Sequence, residues 1–322
     1  MIYLNPHPGD PPAVGLAHGP HASDFLDRWL GKVDYVETTF EQLRHDSSAA
    51  LLQERVPFIL HCASMSVAGC VRPDETTLAQ IEQQAIRTGT PWIGEHLAFV
   101  LAHPLDETTL AEVEQQTART GTPWIGDRLS FILAHPAHEV LDDKSGVPTQ
   151  LTYTICPQLS SQTLECTLNN FRFLQSRFSK PIILENPPQY FTVPGSEMSL
   201  VDFMVELFDH CGAGLLMDLT HFLIAAKNMG FDAQREIERL PLERVVEVHL
   251  SGIGTQSGLT WDDHSNPAPE LVFQLLRQIR RRARPRAITL EYNWAPDFSD
   301  DIVLDHLDRV RTITSGMAVG SR

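Results

Sequence analysis

Six short apolar runs of this chain end on a histidine or an acid. "FILHC" ends on His61, "WIGEHLAF" carries His96 and "IILEN" carries Glu185. "LLMDLTH" carries Asp218 and His221, "VEVHLSG" carries His249 and "ITLEYN" carries Glu291. After "HLSG", the stretch "LTWDDHSNP" adds Asp262, Asp263 and His264. A single such histidine reads as a hydrogen-bonded structural residue. Six strand ends in one chain are harder to explain in that way. Gathering many imidazoles and carboxylates in one place is costly unless they are paired or bound to a cation. Imidazole and carboxylate without thiolate suit iron, manganese or zinc rather than a soft metal. His61, His96, Glu185, Asp218, His221, His249, Asp262, His264 and Glu291 are too many ligands for one ion, so two or three ions are expected. Asp263 and Glu95 are read as carboxylates that orient ligand imidazoles from behind.

The elements that must position these residues follow from the same runs. Eight apolar stretches, at 13–19, 33–40, 57–64, 92–100, 181–188, 213–221, 245–252 and 287–293, alternate with amphipathic helical stretches. Consecutive apolar positions are the pattern of strands buried on both faces. Strand then helix, eight times, predicts a (β/α)8 TIM barrel, in which chemistry collects at the C-terminal strand ends. The length of 322 residues suits a single domain, 1–322, of this type.

One unit is repeated. Residues 104–135 match residues 72–103 at 22 of 32 positions, so "TGTPWIGEHLAF" returns as "TGTPWIGDRLSF". A closed eight-stranded barrel has no place for a ninth strand. Arg128 stands where the first copy has His96, and an always-cationic guanidinium cannot ligate a metal. The first copy is therefore assigned to the barrel and the second to an extra αβ unit. The counter-reading closes the barrel with the second copy, Arg128 then holding an anionic group of the substrate. Trp92 and Trp124, shared by both copies, read as packing residues.

Lys and Arg number 25 against 41 Asp and Glu, a net charge of −16, which argues against a nucleic-acid or anionic-membrane partner. The basic run "RRRARPR" at 280–286 reads as a solvated helix end. Five cysteines without CxxC spacing, no secretory signal and no apolar run near about 20 residues predict a cytoplasmic protein with reduced thiols. Oligomeric state is left open.

At these residues the chain resembles the DUF692 family, the multinuclear non-heme iron-dependent oxidative enzymes, which includes the methanobactin-synthesis oxidase. The resemblance runs through "VGLAHGPHASDFL", "LHCASMSVAG", "WIGEHLAF", "IILENPPQY", "MDLTHFLIAAKNMG", "EVHLSG", "WDDHSNP" and "LEYN", over about residues 12–295 apart from the repeat. It implies a TIM barrel holding two or three irons, mixed Fe(II) and Fe(III), on the nine residues named above, with O2 as co-substrate. It also implies oxidation of a cysteine or a nearby carbon in a peptide, as in natural-product biosynthesis, with the peptide often presented by a separate partner protein. The repeat, "GEH" for the family's "SDH", His221 for a frequent Asn, and Asn293 for a frequent acid depart from the pattern.

Two other classes stay open. Divalent-metal barrels of the endonuclease IV and xylose isomerase type gather similar ligands for hydrolysis or isomerisation. The negative charge speaks against DNA, and no lysine ends a strand to polarise a carbonyl. A non-catalytic metal-binding scaffold predicts lost ligands, and none of the nine is lost.

Overall fold

The computed structural model describes residues 4, 7, 10–19, 22–45, 47–69, 72–97, 156–256, 258–293 and 298–315. Eight parallel strands close a barrel: β1 Ala13–Ala17, β2 Tyr35–Thr39, β3 Phe58–Cys62, β4 Ile93–His96, β5 Ile182–Glu185, β6 Gly214–Asp218, β7 Val245–Ser251 and, last, β10 Ala287–Glu291. A two-stranded antiparallel hairpin, β8 Gly254–Gln256 and β9 Leu259–Trp261, sits between β7 and β10 in the chain. All eight barrel strands fall inside the apolar runs of the sequence. The hairpin falls where the sequence reads as loop. Its strands have three residues each, too short for an alternation to stand out.

The repeat is resolved in one respect. β4 comes from the first copy and pairs with β3 through Leu60 and Ile93 and with β5 through His96 and Glu185. The barrel closes on the strand that carries His96. Residues 98–155, which hold the second copy with Arg128 and Trp124, lie outside the described residues.

Side chains alternate along each strand, and two residues rise about 6.6 Å. The inward positions therefore form layers. Tyr35, Ile59, Trp92, Ile183, Leu216 and Ala287 make an apolar floor inside the barrel. Two residues further along the same strands stand Glu37, His61, Gly94, Glu185, Asp218 and Thr289. The outward positions pack with the helices into one large core that includes Leu60, Ile93, Leu184, Met217 and Leu250. Thus a single period-2 step separates hydrophobic packing from the polar layer.

Helix boundaries fix the strand ends. Asp74 caps the helix Glu75–Thr88 by accepting the Thr77 amide at 2.9 Å, and the helix stops at Gly89 with φ +68°. Asp218 ends β6 and also caps the helix Leu219–Met229, accepting the His221 amide at 2.6 Å. A carboxylate at this position satisfies an orphan amide of the first helical turn.

The basic run is less solvated than its composition suggests. Arg282 pairs with Glu243 at 3.2 Å, but Arg280 is buried and Arg286 lies 5.0 Å over the Trp92 ring. Long stems cover apolar surface while their heads find partners. Cys62, Cys156 and Cys211 are free thiols. Among the described residues, no helix is long and apolar enough to cross a membrane.

Candidate functional site

The nine singled-out residues meet at one end of the barrel. His61, His96, Glu185, Asp218, His249 and Glu291 come from six strands, His221 from the first turn after β6, and Asp262 and His264 from the segment after β9. His61 Nε2 and His96 Nε2 each lie 3.2 Å from Glu185 Oε2, and the two imidazoles meet edge to face at 4.5 Å. His249 Nδ1 lies 3.5 Å from Glu185 Oε1 and 3.4 Å from Glu291 Oε1. Asp262 lies between two imidazoles, Oδ2 3.0 Å from His221 Nε2 and Oδ1 2.9 Å from His264 Nε2.

Potential ligand atoms gather within 4.8 Å of one another in four groups: His61–His96–Glu185, Glu185–Asp218–His249, His221–Asp262–His264 and Glu37–His61–His249. Glu185 belongs to two of them, so one carboxylate faces two neighbouring positions. His61, Glu185, Asp218, His221 and His249 are buried. The upper rim is more open: the side chains of His96 and His264 are 19% and 27% exposed.

The hydrogen bonds do not consume this set. His61 Nδ1, Asp218 Oδ2 and His249 Nδ1 are buried without a hydrogen-bond partner, while Glu185 Oε2, Asp262 Oδ1 and His264 Nε2 meet only other members of the set. Each unpartnered atom costs about 1–3 kcal/mol of desolvation, and three in one place are outside the ordinary pattern of protein interiors. A group of cations among them would engage these lone pairs. The donor set is imidazole and carboxylate throughout, so the residues fit a cluster of hard to borderline divalent or trivalent ions.

Tautomers are partly fixed by the surroundings. His221 Nδ1 lies 2.9 Å from the Asn186 carbonyl, an acceptor only, so Nδ1 carries the proton and Nε2 turns toward Asp262. Asn186 also ties the strand ends together, donating to the Asp218 carbonyl at 2.9 Å and accepting the Asp218 amide at 2.8 Å. His264 sits at φ +55°, a left-handed conformation that His tolerates better than most residues, and its carbonyl accepts the Asn293 amide at 3.0 Å.

Electrostatics separate the imidazoles. Burial lowers His96 to about 4 and keeps it neutral. Burial acts the same way on His61, but the Glu185 hydrogen bond and the charges of Glu185 and Glu37 outweigh it and raise His61 to about 9. His264 is also lifted to about 9, because Asp262 outweighs its burial. Burial raises Asp218 to about 6.

Glu95 and Asp263 sit differently from the nine. Glu95 precedes His96 on β4 and faces the other side of the strand, where it lies against Cys62 and Glu41. Asp263 accepts the Ser265 amide at 3.0 Å, and its carboxylate occupies the space a Cβ on Gly254 would take. It shapes the turn that carries Asp262 and His264. Trp92 packs as expected, fully buried in the floor, and also donates to Glu247 at 2.7 Å.

Sequence reasoning missed Glu37, Glu247, Gly94 and Asn186. Glu37 bonds His249 Nε2 at 3.0 Å, and Glu247 lies below it, bonded to Trp92 and Thr289. Both acids stand two residues before the inward end of their strand, Glu37 before Thr39 and Glu247 before His249. The period-2 alternation of "YVETT" and "VVEVH" is the signal that could have found them. Gly94 is required by a close approach: a Cβ there would lie 2.5 Å from His61 Nδ1.

The profile of the RiPP precursor modification enzymes MbnB/TglH/ChrH matches residues 13–103 and 101–315, and the two pieces meet where the repeat begins. A UPF0276 protein of Streptomyces avermitilis is 26% identical over 282 residues, covering 86% of this chain but 50% of that protein. The chain thus spans half the length of that relative. A UPF0276 protein of Caulobacter vibrioides is 26% identical over 277 residues, 84% of this chain and 83% of its own. Among solved structures, a xylose isomerase domain containing protein from Salmonella typhimurium has a TM-score of 0.54 at 12% identity, over 97% of this chain and 99% of its own. That likeness concerns the fold.

Proposed function

The chain belongs to the MbnB/TglH/ChrH family of RiPP precursor modification enzymes, and we propose that it is a multinuclear non-heme iron enzyme that uses O2 to oxidise a peptide. One observation carries the reading: nine imidazoles and carboxylates converge on one barrel end, with three of their polar atoms buried and unpartnered. In this reading the ligands are His61, His96, Glu185, Asp218, His221, His249, Asp262, His264 and Glu291. Glu185 is the shared carboxylate between two ions. The whole chain is one barrel domain of the cytoplasm, with the second copy of the repeat as an inserted αβ unit.

Two or three irons of mixed valence, when bound, would supply the redox chemistry and acidify a coordinated thiol. The protein's own residues do the rest. Asn186 holds the His221 proton on Nδ1 and leaves Nε2 for the site. The neutral His96 offers a lone pair at neutral pH without first losing a proton. The apolar floor of Ile59, Ile183 and Leu216 keeps water from below. His96, His264, Asp262 and Glu291, the more open members, face the side from which a peptide cysteine would enter, alone or presented by a separate partner protein.

Elemental mass spectrometry of protein purified without chelator tests this, on wild type and on His96→Ala. Two or three irons per chain, falling in the variant, are expected. Zinc or manganese in place of iron would turn the reading to hydrolase or isomerase chemistry. No metal at all would overturn it. Oxygen uptake by the iron-loaded protein, dependent on a cysteine-containing peptide, tests the reaction itself.

A further inference from the structure

Below the nine residues lies a carboxylate that the proposed centre leaves unassigned. Glu37 is buried on β2, and its two oxygens face two different candidate ligands. Oε2 is 3.0 Å from His249 Nε2, and Oε1 is 3.8 Å from His61 Nδ1. Each of those imidazoles turns its opposite nitrogen toward Glu185: His249 Nδ1 at 3.5 Å and His61 Nε2 at 3.2 Å. Glu37 therefore holds the back of the His249 ring, with the His61 ring nearby but beyond hydrogen-bond reach. Thr289 holds it from beneath, at the edge of a network whose other members bond one another. Tyr35 and Thr289 share a 2.7 Å hydrogen bond, Thr289 reaches Glu37 Oε2 at 3.3 Å and Glu247 at 2.9 Å, and Trp92 holds Glu247.

We propose that Glu37 is a positioning residue that takes the outer N–H of His249, so that His249 must bind metal through Nδ1. The proposal rests on the metal-centre reading above. A ligating imidazole has one nitrogen on the ion and one N–H that needs an acceptor, and that acceptor sets the tautomer and the ring orientation. Gly94 leaves the space beside the His61 ring, since a side chain at 94 would lie against His61 Nδ1.

The test uses the full chain loaded with zinc, which is diamagnetic, and long-range proton–nitrogen correlation spectra of the histidine rings. The expected spectrum has His249 protonated on Nε2. Metal affinity is measured in parallel by chelator competition on wild type, Glu37→Gln and Trp92→Phe. A neutral amide is a weaker acceptor than a carboxylate and can turn its NH2 to the ring, so Glu37→Gln should lose about 10–100-fold in affinity. Trp92→Phe disturbs the same buried network without touching either imidazole, and should stay within about 3-fold of wild type while losing thermal stability. A His249 bound through Nε2, or a Glu37→Gln protein that binds as tightly as wild type, overturns the inference alone. An affinity lost equally in Trp92→Phe reduces Glu37 to a fold residue and also overturns it. A wild type that takes up no metal overturns the metal-centre reading and this inference with it.

Discussion

Gly94→Ala is the smallest change that should disable the centre. A Cβ at 94 would meet His61 Nδ1 at 2.5 Å and both His61 Cε1 and Leu216 Cδ1 at 3.1 Å. Ordinary contact begins near 3.5 Å, so the imidazole must retreat by about 1 Å. The ring has little room: it is buried, with His96 edge-on at 4.5 Å and His249 at 5.7 Å between centroids. Metal–ligand distances tolerate about 0.2 Å, so the displacement exceeds the tolerance several-fold. Overpacking of this kind costs about 1–3 kcal/mol; at about 2–4 °C per kcal/mol for a domain of 150–250 residues, and somewhat less for a longer chain, Tm should fall by several degrees. Elemental analysis should therefore show metal lost from Gly94→Ala, and calorimetry of chelator-treated protein should show the lower Tm. The repeat supplies an internal control. Gly126 is the counterpart of Gly94 in the second copy, and because the barrel closes on β4, Gly126→Ala should keep its metal. A Gly94→Ala protein with a full metal complement and an unchanged Tm would refute the packing argument. Metal lost from Gly126→Ala instead would place the second copy in the working barrel.

Three further outcomes are expected. Asp218 caps a helix with Oδ1 and turns Oδ2 into the site; Asn is an equally good cap, so Asp218→Asn should lose metal while keeping apo stability, whereas Asp218→Ala should lose metal and about 0.5–2 kcal/mol of apo stability in urea titrations. Trp92→Phe leaves Glu247 Oε2 without its indole donor and should cost about 1–3 kcal/mol by the same assay; a change under about 0.5 kcal/mol would show that water replaces the indole. Asp300 is held below its usual 3.8 by hydrogen bonds from Arg28 and Trp29. A depressed carboxyl contributes stability above its unfolded value and loses it as pH falls, so Asp300→Asn should be less stable than wild type at pH 7 and equal to it at the acid end of the titration.

What the sequence made legible follows from where each signal sits. Strand ends are visible because an apolar run stops there, and a His or acid at the stop stands out against Ile, Leu and Val. His61, Glu185, Asp218, His249 and Glu291 were readable for that reason. Glu37 and Glu247 lie inside their runs, where an acid interrupts the apolar pattern and reads as a blemish. Only the alternation shows that Glu37 follows Tyr35 on the inward face and that Glu247 precedes His249 there. Asn186 adjoins the expected Glu185, but its role needs the neighbouring strand, since it bonds both backbone groups of Asp218. Glu95 shows the converse failure. Adjacency to His96 in sequence suggests partnership, yet neighbours along a strand face opposite ways, and Glu95 ends beside Cys62 and Glu41. The repeat was decided on chemistry, since the two copies are nearly equal as strands and differ at His96 and Arg128.

The layers also divide the labour within the site. His249, Asp218 and Glu185 are fully enclosed, and each is fixed by neighbouring groups: Glu37 behind His249, the helix cap on Asp218, and four imidazoles on Glu185. A position so determined tolerates little variation, because any change leaves a buried polar atom without its partner. His96, His264 and Glu291 stand at the rim, where solvent can replace a lost contact. Variation in what the protein accepts must therefore enter through the rim and through the hairpin β8–β9. There Trp261 stacks on Tyr190 at 4.1 Å, just before Asp262. If the proposed peptide oxidation holds, substitutions at Trp261 should change which peptide is used while leaving metal content intact, the opposite of the pattern expected for Gly94.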